Sequence, residues 1–231
     1  MGFFDKHRKT PASRRLTREQ INQLSFPQRL AALNALASRE DPQCVIFGAN
    51  HHRYRFQPVA TAQEIAQAQA TLGVSFPDSY IQYLTKLGNG GAGPNYGIYS
   101  LDEMQHHSQY LLHQPLLGTP MLHPDMALTE WHEIAERLDA LDEDAEIDAF
   151  FGKLMQGTIV LGTQGCSVDT LLMCSGENAG EVIYFNWEIG ADFALPHFTG
   201  MQFDEWMIGY YEKLLDGGIE KLRPTFWYVR W

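Results

Sequence analysis

Residues 76–101 read FPDSYIQYLTKLGNGGAGPNYGIYSL, and the fold turns on how this stretch is understood. Pro77 stands where a helix can begin without losing a hydrogen bond, because first-turn N–H groups have no intrahelical acceptor. Tyr80, Leu84 and Leu87 follow at i, i+4 and i+7 on one face, and Gly88 stops the helix. The next nine residues, NGGAGPNYG at 89–97, hold four glycines and a proline. Only glycine takes positive φ cheaply, so this loop has a special backbone path. IYSL at 98–101 then predicts a strand.

Upstream, Thr61 and Glu64 make a capping box for a helix through Leu72, closed by Gly73 at its C-terminal end. CVIFG at 44–48 and HRYRF at 52–56 are β-prone runs around Ala49-Asn50, which predicts a hairpin. Two short helices precede them, one capped by Thr17 with Gln20 and one by Ser25 with Gln28. Leu30, Leu33, Leu36 and Ala37 give the second an apolar face that must pack on something. Residues 1–16 are polar and basic, without periodicity, and predict a mobile lead-in.

Downstream, residues 112–128 carry three prolines and little pattern, which predicts an exposed loop and a candidate contact surface. Residues 129–155 predict a helix whose outer face is crowded with Glu133, Glu136, Asp139, Asp142, Glu143, Asp144, Glu146 and Asp148. After Gly157, the runs TIVLG, TLLMCSG and EVIYFNW predict an antiparallel meander, the last two joined at Glu177-Asn178-Ala179-Gly180. A closing helix places Phe203, Trp206, Tyr210 and Leu214 on one stripe to cover the sheet, and the tail FWYVRW predicts an added edge strand.

This order of elements resembles the SUKH superfamily of bacterial toxin-immunity proteins and yeast cell-wall-assembly regulators. FGANHHRYRF, a helix, and then Phe76, Pro77, Tyr80, Asn89, Gly90 and Gly91 match its signature half in order and spacing. The second half is similar through Gly157, Ile159, Gly165, Cys166, Gly180, Phe203 and Trp206, so the likeness spans about residues 44–215. Two positions depart from the pattern: Ser167 replaces a common glycine, and Asn186 interrupts an aromatic strand end. The resemblance implies an α+β fold, a twisted antiparallel sheet flanked by helices. Residues 1–43 would form an N-terminal basic and helical extension, and residues 44–231 the SUKH-like domain with its tail. It further implies a cytoplasmic immunity protein that binds a secreted polymorphic toxin, in some cases a nuclease, delivered by contact-dependent or type VI systems. Scaffolding or regulation, as in the fungal members, is the other function it implies.

Charge is consistent with a protein partner. The 231 residues carry a formal net charge of -11, yet residues 1–20 hold six cations against two acids, leaving about -15 for the rest. Such a body repels phosphate backbones and attracts cationic proteins, so a basic toxin domain is expected and nucleic acid is not. The carboxylates at 136, 139, 142, 143, 144, 146 and 148 are candidate toxin-binding residues; a merely solvated helix face is the alternative reading. No apolar run approaches a membrane span, and MGFFDKHRKT lacks the core of a secretory signal, so a cytoplasmic location without membrane contact is expected.

Enzymatic motifs are not found. A phosphate loop needs Lys-Ser/Thr after its last glycine, and a dinucleotide fingerprint follows a strand, whereas a helix precedes NGGAGPNYG. Cys44, Cys166 and Cys174 lack CxxC spacing and predict buried thiols, and no cysteine-hydrolase signature surrounds Cys166. His51-His52, His106-His107, His113 and His123 match no zinc spacing. No catalytic residue, metal or cofactor is expected.

Overall fold

The computed structural model describes residues 17–112, 121–189 and 195–217. The predicted lead-in at 1–16, residues 113–120 of the proline-rich loop with His113, and the FWYVRW tail lie outside the described residues. Among the described residues, helices α1 (Arg18–Asn22), α2 (Phe26–Glu40), α3 (Ala49–His52), α4 (Ala62–Leu72), α5 (Asp78–Lys86), α6 (Leu101–Leu112), α7 (Leu128–Asp139) and α8 (Asp144–Leu154) come first. Strands β1 (Thr158–Gly165), β2 (Val168–Met173), β3 (Glu181–Asn186) and β4 (His197–Gln202) follow, and α9 (Phe203–Gly217) comes last among the described residues. The fold is mixed α+β: an open antiparallel sheet of order β1-β2-β3-β4 against helices. No helix among the described residues is long and apolar enough to cross a membrane.

The helix signals act as their chemistry requires. Thr17 with Gln20, Ser25 with Gln28, and Thr61 with Glu64 all form reciprocal capping boxes, and Gly73 ends α4 at φ 68°. Pro77 is the N-cap of α5, and Tyr80, Tyr83 and Leu84 are its buried face. These rings meet the closing helix: Phe203 lies 5.2 Å from Tyr80, 5.6 Å from Tyr83 and 6.3 Å from Phe26, edge-on to each. Helices α2, α5 and α9 therefore share one aromatic centre, the geometry in which ring pairs contribute about 1 kcal/mol beyond burial.

Helix α2 is stapled into that core as well as packed on it. Asn34 Nδ2 donates to the Tyr54 carbonyl at 2.9 Å, and the Tyr211 hydroxyl donates to Asn34 Oδ1 at 2.9 Å. Leu30, Leu33 and Ala37 are fully buried beside them. On the closing helix, Phe203, Trp206 and Leu214 of the expected stripe are buried, and Met207 and Tyr211 deepen it.

Four expectations need correction. The hairpin at 44–56 does not form: Asp41, itself buried, accepts Val45 N–H at 2.8 Å and Ile46 N–H at 3.2 Å, so those donors are withdrawn from any ladder. Positive φ at Cys44, Gly48, Arg53 and Tyr54 coils the segment around α3, and only Phe56 makes a β-bridge. The strand expected at 98–101 is a single bridge at Ile98, because Ser100 and Glu103 cap α6 instead. The acidic helix is two helices, α7 and α8, broken at residues 140–143 where like charges crowd. Finally, only Cys174 is buried; Cys44 is half-buried, and Cys166 is exposed. Cys166 and Ser167 form the two-residue β1–β2 turn, both at positive φ as a twisted hairpin turn requires, which lifts the thiol out of the core.

Strand β4 carried a weak sequence signal, since Gly200 sits where its pairing with β3 shifts register. The loop NGGAGPNYG follows from backbone crowding. Gly91 has φ 99°, and a Cβ there would overlap the Arg55 carbonyl oxygen; a Cβ on Gly162 would overlap that of Gly97. Gly91→Ala should lower unfolding free energy by about 2 kcal/mol or more. By contrast Gly209→Ala, in open space on α9, should be neutral or raise it by about 0.5–1 kcal/mol. Urea denaturation of both variants checks this pair.

Candidate binding cleft

Gly91 is the hub of three short extended segments. Its N–H donates to the Ile98 carbonyl at 2.8 Å and its carbonyl accepts Ile98 N–H at 2.9 Å. On the other side, Ala92 N–H donates to the Arg55 carbonyl at 2.8 Å and Gln57 N–H to that of Gly90 at 3.1 Å. Tyr99 N–H then reaches the Leu161 carbonyl of β1 at 2.7 Å. Residues 55–57, 90–92 and 98–99 thus run side by side next to β1, joined by isolated bridges. Between them and the end of β1 opens a cleft of about 680 Å³, a volume typical of ligand sites.

Aromatic side chains shape this cleft. Tyr96 lies over Gly165 and meets Phe47 edge-on at 5.1 Å and His51 at 6.1 Å. Tyr99 stacks on His107 at 4.5 Å, and burial, then Asp169 and Glu103, push its phenol up to about 12. Phe56 packs against Tyr83 at 6.0 Å, and the Tyr83 hydroxyl donates to the Ala92 carbonyl at 3.3 Å. The rings therefore rest on the same core that holds the glycine loop.

His52 is the buried polar group of the wall. Its Nδ1 accepts Tyr54 N–H at 3.0 Å, which assigns the proton to Nε2. That Nε2 makes no hydrogen bond of good geometry, although the carbonyls of Asn95 and Gly93 lie near the ring. Burial, reinforced by neighbouring His51, lowers the His52 pKa from 6.5 to about 4. The imidazole stays neutral at physiological pH.

The residues singled out in the sequence fall into several separate places. Gly91 and Gly165 line the cleft, while Gly90, at φ 93°, adjoins the backbone of Ile98–Ser100. Asn89 Oδ1 accepts Leu101 N–H at 2.8 Å, joining the loop to α6. Phe76 is buried edge-on to Tyr80 at 5.3 Å, and Pro77 caps α5. Gly180, at φ 94°, packs on Gln202, and Trp206 Nε1 donates to the Tyr184 hydroxyl at 2.7 Å. Cys166 is at the hairpin tip. Glu136, Asp139, Asp142, Glu143, Asp144 and Glu146 are exposed and Asp148 half-buried on the α7–α8 corner. None of these carboxylates lines the cleft. Sequence reasoning missed Arg55, Gln57, Tyr99 and Glu103 as a group, since nothing in their spacing announces that they converge. No cluster of three metal-ligating side chains occurs among the described residues.

A meander sheet under helices, with a glycine-built loop beside a cleft at its edge, defines a mixed α+β domain. The family comparison is specific: the SMI1/KNR4 family (SUKH-1) matches residues 59–209. The chain belongs to this family, whose members are generally non-catalytic and commonly immunity proteins. No curated protein matches it. Residues 51–57, one wall of the cleft, precede the matched region.

The His52 shift carries a sign. A folded-state pKa below the unfolded value means the unfolded chain binds the proton first, so this contribution to stability falls as pH drops below 6.5 towards 4. The loss should reach about 2 kcal/mol between pH 7 and pH 5. His52→Gln should flatten that part of the profile, measured by guanidinium denaturation across the range.

Proposed function

We propose that this chain is a cytoplasmic immunity protein that binds a basic toxin domain and blocks it by stoichiometric occlusion, without turnover. The reading is carried by the carboxylate crowd on the α7–α8 corner, set in a family whose members are commonly immunity proteins. Like charges this close oppose helix formation, and the chain breaks between the two helices where they crowd most. Such a surface is suited to a cationic groove, where carboxylates raise the association rate by long-range attraction. Arg137 belongs to the corner but leans over the Phe150 ring at 5.7 Å, which leaves the outer face to the acids.

Binding of the toxin domain encoded beside the gene tests this. Asp139→Lys, Glu143→Lys and Glu146→Lys together should weaken affinity by about tenfold or more, mainly through the on-rate, and reduce its salt dependence. Unchanged binding at low and high salt overturns the assignment of this corner.

Occlusion also makes Cys166 dispensable. Cys166→Ser should protect toxin-exposed cells as well as the natural chain does; lost protection with intact folding and toxin affinity would instead indicate catalysis through the thiol.

A further inference from the structure

The lining of the cleft beside Gly91 holds one cation, Arg55, and one acid, Glu103. Between Asp41 and Glu64 the chain has no acidic residue but carries His51, His52, Arg53 and Arg55, in a molecule of net charge -11. Arg55 is exposed on the cleft wall, and its guanidinium makes no hydrogen bond or ion pair among the described residues. The acid opposite, Glu103, is already engaged: one carboxylate oxygen accepts Ser100 N–H at 2.8 Å and the Ser100 hydroxyl at 2.7 Å. His52, only 8% exposed, lines the same cleft, with its Nε2 buried near the carbonyls of Gly93 and Asn95. Phe56, Tyr96 and Tyr99 add flat apolar surface beside these donors.

We propose that this cleft binds a partner polypeptide through a carboxylate set next to an aromatic or apolar side chain, with Arg55 as the anchoring cation. The inference rests on the reading of the protein as a binding module and adds to the α7–α8 corner a second contact, anchored by a cation. A guanidinium matches a carboxylate with two parallel hydrogen bonds, and the rings take the neighbouring side chain. A phosphate ester presents a similar anion beside a ring, but its second charge would face Glu103 and the acidic body of the protein. The monoanion of a peptide is therefore the better match.

The test uses the full chain and needs no toxin, so its outcome is independent of whether the acidic corner binds one. N-acetylphenylalanine, N-acetylphenylalanine amide and adenosine monophosphate are titrated while the backbone amide resonances of Gly91, Gly97, Thr163 and Gly165 are followed. The acid should give saturable shifts there, and the amide should bind about tenfold more weakly. Arg55→Ala, at an exposed position, should weaken acid binding by a similar factor with an unchanged unfolding midpoint, and Arg55→Lys should restore part of it. Equal binding of acid and amide, indifference to Arg55→Ala, no saturable shift at about 20 mM acid, or tighter binding of adenosine monophosphate would each overturn the proposal.

Discussion

The backbone at Gly91 is held from both sides, by Ile98 through two hydrogen bonds and by the Arg55–Gln57 segment through its neighbours. A side chain has no room there, and the residue stands at φ 99°. The 55–57 and 98–99 segments flank this residue, so their alignment beside β1 depends on its backbone. The cleft is the space left where these segments diverge from the end of β1. Its position thus follows from a close approach of main chains, and its rings and charges are mounted on that frame.

The second organising element is the ring cluster around Phe203. It links α2, α5 and α9, and through Tyr83 it reaches the Ala92 carbonyl of the glycine loop. Core and cleft are mechanically continuous through that hydroxyl. Buried polar groups serve the same end: Asp41 organises residues 45 and 46 and accepts the Tyr54 hydroxyl at 2.7 Å, and burial and this carboxylate raise the Tyr54 pKa. Asn34 ties the Tyr54 carbonyl to α9. The segment carrying Arg55 is therefore tied to helix α2 and its C-cap Asp41, which precede the region matched by the family.

Much of the architecture was readable because its signals are local. Capping boxes at Thr17, Ser25 and Thr61, the αL glycine at 73 and the β1–β2–β3 meander depend on residues within a few positions of one another. The box at Ser100 and Glu103 was equally local, but the apolar run IYSL obscured it as a strand. The hairpin at 44–56 misled for the opposite reason. Its β-prone side chains were genuine, but the carboxylate that takes their N–H groups is Asp41, and nothing in the run itself reveals that competition.

From the sequence alone came the α+β class, the family likeness, the scaffold reading of the glycine loop and the acidic crowding of residues 136–148, since composition and short-range spacing are properties of a chain before it folds. Only tertiary structure decided that Arg55, His52, Tyr96, Tyr99 and Glu103 share one cleft and that the acidic corner stands apart from it. Residues from 52 to 103 and from 163 to 165 meet there through long-range backbone pairing, which depends on where each segment is carried by the core and leaves no periodic trace along the chain.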